Sequence, residues 1–160
     1  MDLSEAKSRI AEALVESIFR RARYDVAPYK TDQSLLRFGR EDFSPAFRVE
    51  QHVDGEDRGY LLAVKYRPSA EQFISVENQR GDRSIFQMMR RHWPALHFVL
   101  VTERPDRGRS CFQVVPFETL RAGESFRALD LIEVKDFGLF PHNLEDHEEL
   151  TRRIFASLNA

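Results

Sequence analysis

A lysine interrupts an apolar run in the middle of this chain, in the sequence YLLAVKYR from Tyr60 to Arg67. The chain has only four lysines, so a lysine inside such a run is not explained by composition. The run predicts a β-strand, and alternation along a strand puts Lys65 and Arg67 on one face together with Ala63. Two neighbouring cations can bind a phosphate or a carboxylate. The simpler interpretation is that this face of the strand lies in water.

Charge and cysteine content limit the classes of function. The chain carries 24 lysine and arginine residues against 26 aspartate and glutamate residues, a net charge of −2, which argues against a general polyanion-binding protein. Arg90 and Arg91 form a local cluster that can still contact phosphate groups. The single cysteine, Cys111, excludes an intrachain disulfide and a metal site built from several cysteines. The first residues show no apolar run of signal-peptide or membrane-spanning length, so we expect a cytoplasmic protein without membrane contact.

The spacing of the apolar residues predicts the elements that must position these side chains. The predicted elements are a helix from Ser4 to about Arg23, strands at 24–29, 46–53 and 60–66, a helix at 84–93, strands at 97–102 and 111–117, and a helix at 144–158. Residues 54–57 are the turn of a hairpin, and residues 69–83 are a polar connection. The strand at 97–102 is apolar on both faces and is expected at the centre of the sheet, whereas Pro116 favours an edge position for the strand at 111–117. These elements predict one α/β domain with a mixed central β-sheet flanked by helices.

This order, with a lysine in the third strand, resembles the PD-(D/E)XK nuclease superfamily, whose shared core is αβββαβ. The resemblance covers roughly Ser4 to Thr102. In that superfamily a Pro-Asp pair begins the second strand, an acid-x-Lys triplet lies on the third, and a glutamate often projects from the first helix. The corresponding positions here are Pro45-Ala46, Ala63-Val64-Lys65 and Glu12. The resemblance implies one restriction endonuclease-like domain over residues 1–160, with a core at about 4–117, an extra strand, and a C-terminal extension at 118–160 that ends in a helix.

The departures from the superfamily pattern bear directly on activity. In the superfamily, two carboxylates from adjacent strands bind Mg²⁺, which activates water, while the lysine orients the nucleophile. Alanine supplies no oxygen ligand, so Ala46 and Ala63 leave only Lys65 and Glu12 as vestiges of a catalytic site. The resemblance then implies a noncatalytic domain that acts in binding or assembly, with no cofactor and with DNA or RNA as a candidate ligand. Arg67, Arg90 and Arg91 are the candidate nucleic-acid contacts.

Two other functions stay open at this point. An active Mg²⁺-dependent nuclease requires acids relocated from elsewhere, and Glu50, Asp42 and Glu77 are the candidate metal ligands. Each of these has the plainer interpretation of an exposed charge. A domain that binds a protein partner, or a second copy of itself as a homodimer, fits the near-neutral charge and the apolar segment FGLFPHNL at Phe137 to Leu144, which is otherwise expected to pack on the core.

Overall fold

The computed structural model describes residues 2–29, 37–38, 41–117, 121 and 123–160. The α-helices in these ranges are α1 Leu3–Arg21, α2 Ala70–Gln79, α3 Ile85–His92 and α4 Glu145–Asn159. The strands are β1 Asp25–Pro28, β2 Arg37–Phe38, β3 Glu41–Asp42, β4 Phe47–Val53, β5 Glu56–Tyr66, β6 Leu96–Val101, β7 Phe112–Pro116 and β8 Leu129–Asp130. Short 3-10 helices occupy Gly81–Arg83, Leu131–Glu133, Lys135–Phe137 and Pro141–Asn143. None of the helices within these ranges combines the length and the apolar composition that a bilayer crossing requires.

Six strands form one mixed sheet in the order β1-β4-β5-β6-β7-β8, and β2 pairs with β3 separately. β5 and β6 run parallel, whereas all other neighbours in the large sheet are antiparallel. This confirms the predicted α/β domain with a mixed central sheet flanked by helices. The β4–β5 turn consists of only Asp54 and Gly55, with φ values of 52° and 80°. The prediction that Glu56 and Asp57 belong to the turn is wrong, because two residues with positive φ already reverse the chain.

One face of the sheet is covered by α1. The helix begins after Asp2, whose Oδ1 accepts a hydrogen bond from the Glu5 N–H at 2.8 Å. Its buried positions include Val15, Ile18 and Phe19, which pack in one cluster with the apolar residues of β1, β4 and β5. Burial of each such side chain contributes about 1.5–3 kcal/mol to folding. This packing fixes the helix over the strand that carries Lys65.

The other face of the sheet is covered by α2 and α3, and here the sequence prediction needs correction. Residues 69–83 are not only a polar connection, because Ala70–Gln79 form α2. Ser69 caps this helix by accepting a hydrogen bond from the Gln72 N–H at 3.1 Å, and Ala70 and Ile74 are buried. The helical face is too sparsely apolar to show in the sequence.

The central position predicted for residues 97–102 is confirmed. All six residues of β6 are buried, and β6 pairs with β5 on one side and with β7 on the other. The edge position predicted for β7 is wrong. Gln113 and Val114 pair with Asp130 and Leu129 of β8. Pro116 is tolerated because it lies at the end of β7, beyond the two residues that β8 reaches.

The C-terminal extension contributes to the core that α1 covers. Leu131, Phe137 and Phe155 are at most 1 % exposed and belong to the same cluster as the apolar face of α1. The Tyr24 hydroxyl donates a hydrogen bond to the Phe137 carbonyl at 2.6 Å. The segment FGLFPHNL therefore packs mainly on the core, and Phe140 is its exposed aromatic residue.

Candidate functional site

A cleft opens where β5 continues beyond the start of β4. Phe47, the first residue of β4, lies opposite Leu62, and the Ala46 N–H donates to the Leu62 carbonyl at 2.7 Å. The pairing of β5 with β4 ends at Leu62, whereas its pairing with β6 continues to Tyr66. The Tyr66 N–H donates instead to Oγ of Ser8 on α1 at 3.2 Å. The result is a cleft of about 830 Å³ between α1, the end of β5 and residues 41–46.

Three of the predicted site residues line this cleft together: Glu12 from α1, Asp42 from β3 and Lys65 from β5. Partial burial raises the pKa of the Glu12 carboxyl above its usual range, and the charge of Asp42 acts in the same direction. The charges of Lys65 and Arg9 oppose this rise in pKa. The charges of Asp42, Lys65 and Arg9 therefore all act on the Glu12 carboxyl.

The described lining of the cleft is rich in acids. Its acidic members are Asp2, Glu5, Glu12, Glu41 and Asp42, and its basic members are Arg9 and Lys65. A negative surface of this kind attracts cations and repels a phosphate backbone. An anion would have to bind close to the two basic side chains.

The positions where the resemblance implies metal-binding acids are packed against apolar residues. Ala63 is 0 % exposed and belongs to the same buried cluster as Phe43 and Phe98. Ala46 packs against the cluster on the other face of the sheet, under α1. The Phe43 ring lies 5.7 Å from the Lys65 ammonium, a distance at which a cation is attracted to an aromatic face. No group of three or more His, Cys, Asp or Glu side chains in the described ranges is placed to hold a metal ion. A magnesium site of the usual superfamily form does not fit these residues.

Arg67 contacts two partners that could not be predicted from the sequence. Its Nη2 donates to both carboxylate oxygens of Glu41, at 2.6 and 2.9 Å, and its guanidinium lies 4.5 Å from the centre of the Phe73 ring. Glu41 is distant along the chain, and Phe73 lies in the helix that the sequence prediction missed. Arg67 therefore serves to join β5 to β3 and α2, and its charge is already balanced.

The remaining predicted site residues lie outside the described lining of the cleft. Glu50 lies on the exposed side of β4, where the Arg48 Nε donates to it at 2.6 Å, because Phe47 and Val49 take the inward positions. Glu77 is buried and accepts a hydrogen bond from the Ile85 N–H at 2.9 Å, which caps α3. Arg90 and Arg91 lie in the last turn of α3. Of the three predicted relocated acids, the structure thus brings only Asp42 next to Lys65 and Glu12.

Comparison with known proteins adds no relative. No protein-family model matches the chain, and neither a curated protein nor a solved structure matches it significantly.

Proposed function

We propose that this chain is a noncatalytic domain with a restriction endonuclease-like fold that acts in binding or assembly. The order α1, β1, β4, β5, then α2 and α3, then β6 agrees with the αβββαβ order of that fold, with two helices in the place of one. A lysine near the end of the third strand of the large sheet, facing a glutamate from the first helix, agrees with it as well.

The observation that carries the proposal is the burial of Ala63. A metal-binding carboxylate at this position would need open space and water, whereas Ala63 is 0 % exposed in an apolar cluster that includes Phe43. A charged oxygen ligand introduced there without a metal ion would be strongly disfavoured. The site has exchanged its metal ligand for core packing, and the charges of Glu12 and Lys65 remain beside it.

Nucleic acid is the first ligand class to test. The acid-rich lining of the cleft opposes a phosphate backbone, so the exposed Arg91 on α3 is the expected phosphate contact. A gel shift with single- and double-stranded DNA and RNA should be weakened by salt and by Arg91→Glu. Arg152→Glu, at an exposed position on α4, is the matched control. Loss of the gel shift in both variants would point to nonspecific charge, and no shift with wild-type protein would direct the search to a protein partner or a homodimer.

One observation favours a second candidate, an active metal-dependent nuclease. Asp42 and Glu12 line the cleft beside Lys65, and Mg²⁺ is commonly bound by only one or two protein carboxylates together with water. In this alternative Asp42 takes the role of the missing strand acid. Glu50 and Glu77 have no part in it, because both are engaged elsewhere.

A calorimetric titration with Mg²⁺ and Mn²⁺, followed by a cleavage assay on DNA, separates the two candidates. The noncatalytic proposal predicts neither saturable metal binding nor cleavage. Metal binding that disappears in Asp42→Asn and persists in Glu50→Gln would establish the alternative. Glu50→Gln is the suitable control because it removes a carboxylate on β4 that lies outside the described lining of the cleft.

A further inference from the structure

A second cavity, of about 580 Å³, lies between α2, the β6–β7 loop and residues 125–128. Its described lining shares no residue with the cleft at Lys65. The volume is in the range of small-molecule sites, which combine an apolar body with a few placed polar groups. The proposed function does not account for it.

The lining of this cavity mixes polar and apolar residues, and its main apolar members are held in place. Ala70, Ile74 and Phe126 are each at least 94 % buried, since their exposures are 4 %, 6 % and 5 %. The Asn78 side chain makes two hydrogen bonds with the backbone of Phe126, one to the carbonyl at 2.8 Å and one from the N–H at 2.9 Å. The two sides of the cavity are thus tied together, so the shape is formed before a ligand enters.

Gln113 supplies a buried polar group to this cavity. The residue is 5 % exposed, and its Nε2 donates to the Ser110 carbonyl at 3.1 Å, which fixes the orientation of the amide. Among the described residues, Oε1 of Gln113 has no hydrogen-bond partner. The amide therefore offers the cavity an acceptor and, through its second N–H, a donor. Glutamine amides pair in this way with the N6 amino group and N7 of adenine, whereas guanine presents two acceptors along the same edge.

The rim of the cavity carries cationic groups. Arg104 and Arg127 are exposed, and neither forms an ion pair with a residue in the described part of the chain. Arg109 is different, because its Nε donates to Asp130 at 2.9 Å and its Nη2 to the Ala128 carbonyl at 3.1 Å. Arg109 shapes the wall, and the other two arginines are available to a phosphate.

Two carboxyl groups also meet at the rim. A hydrogen bond with Asp106 raises the pKa of Glu71, and the negative charge of Asp106 adds to this rise. The positive charge of Arg109 opposes this rise in pKa. The remaining acceptor oxygens suit the hydroxyl groups of a sugar.

We propose that this cavity binds an adenine mononucleotide. The base lies against Ile74 and Phe126 with its N6 and N7 edge on Gln113, the ribose faces Glu71 and Asp106, and the phosphate lies between Arg104 and Arg127. The proposal does not depend on the fate of the Lys65 cleft.

Isothermal titration of the full chain with adenosine monophosphate, guanosine monophosphate and adenosine tests the proposal. Adenosine monophosphate should bind, and guanosine monophosphate should bind at least about tenfold more weakly, because a site built to hydrogen-bond one edge leaves groups unpaired with the other base. Arg127→Gln should weaken the mononucleotide about tenfold and leave adenosine nearly unchanged. Arg152→Gln, outside the described lining, should change neither affinity.

Gln113→Leu tests the base contact and should abolish the preference for adenine over guanine. Because Gln113 is buried, the variant's unfolding curve is compared first, and the exposed Arg127→Gln variant gives an answer that does not depend on it. The proposal is wrong if the two mononucleotides bind equally, if neither binds, or if Arg127→Gln has no effect. The metal titration and the cleavage assay test the Lys65 cleft separately from these nucleotide titrations. Each proposal can therefore fail without the other.

Discussion

Lys7 is the most buried lysine in the described part of the chain, at 6 % exposure. Its ammonium donates to Asn159 Oδ1 at 2.6 Å, to Glu103 Oε1 at 3.3 Å and to the Tyr66 hydroxyl at 3.4 Å. It also lies 4.9 Å from the centre of the Tyr66 ring. All three of its donor positions are used, so this buried charge is compensated and joins α1, β5 and α4.

Lys7→Met should lower the free energy of unfolding by about 3 kcal/mol, because it leaves the nearly buried Glu103 without its cation. Urea unfolding measures the change. The double variant Lys7→Met with Glu103→Gln is the control, since it removes both charges. Its loss should be clearly smaller than the sum of the two single losses, and simple additivity would contradict a coupled pair.

Glu103 makes stability depend on acid pH. Partial burial alone would raise its pKa, but hydrogen bonds from Tyr66, Asn159 and Lys7, together with the charge of Lys7, lower the pKa overall. A lowered folded-state pKa adds stability above the unfolded value of about 4.3, and this stability is lost as the pH falls through the folded value. The difference in unfolding free energy between wild type and Glu103→Gln should therefore shrink from pH 6 towards about pH 3. A constant difference across this range would show that the carboxylate charge is not involved.

The sequence identified the residues of the cleft better than their partners. Lys65 could be singled out because it interrupts an apolar run, and Glu12 and Asp42 because of the resemblance to the nuclease superfamily. Lys7 gave no such signal, since its partners lie 59, 96 and 152 residues away. Phe43 and Glu41 were missed for the same reason, because only the folded chain shows what lies above Ala63 and beside Arg67.

At the scale of elements, the junction between α2 and α3 depends on two caps. Ser84 Oγ accepts from the Gln87 N–H at 3.1 Å, and Glu77 accepts from the Ile85 N–H. Ser84 and Glu77 are 1 % and 3 % exposed, and Ile85 is 7 % exposed, so the Ile85 N–H has little access to water when its acceptor is removed.

Glu77→Ala should cost about 2 kcal/mol, because it strands a buried N–H donor. Glu77→Gln keeps an acceptor and should cost less than half as much. Thermal or urea unfolding of the two variants gives the comparison. Equal losses would mean that the charge, paired at 3.6 Å with Arg80, matters more than the cap.

Helices and strands with strong apolar periodicity were predictable, whereas the elements stabilised by distant contacts were not. α1, β4 and α4 each carry an apolar pattern of their own period, and β6 is a continuous apolar run. α2 exposes half of its residues and is held by Ser69 and by packing on β6, and β8 is only two residues long and exists because β7 offers it a partner. Pairing of this kind is a tertiary effect that no local pattern encodes.

At the scale of the whole molecule, residues 123–160 belong to the same folding unit as the sheet. Phe155, Phe137 and Leu131 fill the core under α1, and their removal would expose Phe19 and Val15. Burial of large side chains contributes several kcal/mol in total, which is comparable to the whole stability of a domain.

A chain truncated after Phe117 should therefore not fold. Far-ultraviolet circular dichroism should show the loss of helix signal, and the fluorescence of the single tryptophan, Trp93, should resemble that of unfolded protein. The full chain is the control and should unfold in one transition by both probes. A folded truncated chain, or two separate transitions in the full chain, would show that the extension is an independent unit.

β5 extends a few residues beyond its last partner in β4, and this difference in length forms the recess in which Lys65 lies. The opening thus follows from where the backbone pairing of β4 and β5 ends. Architecture and chemistry can therefore change independently in such a chain. The recess would therefore remain if the side chains at positions 46 and 63 were exchanged for others of similar size.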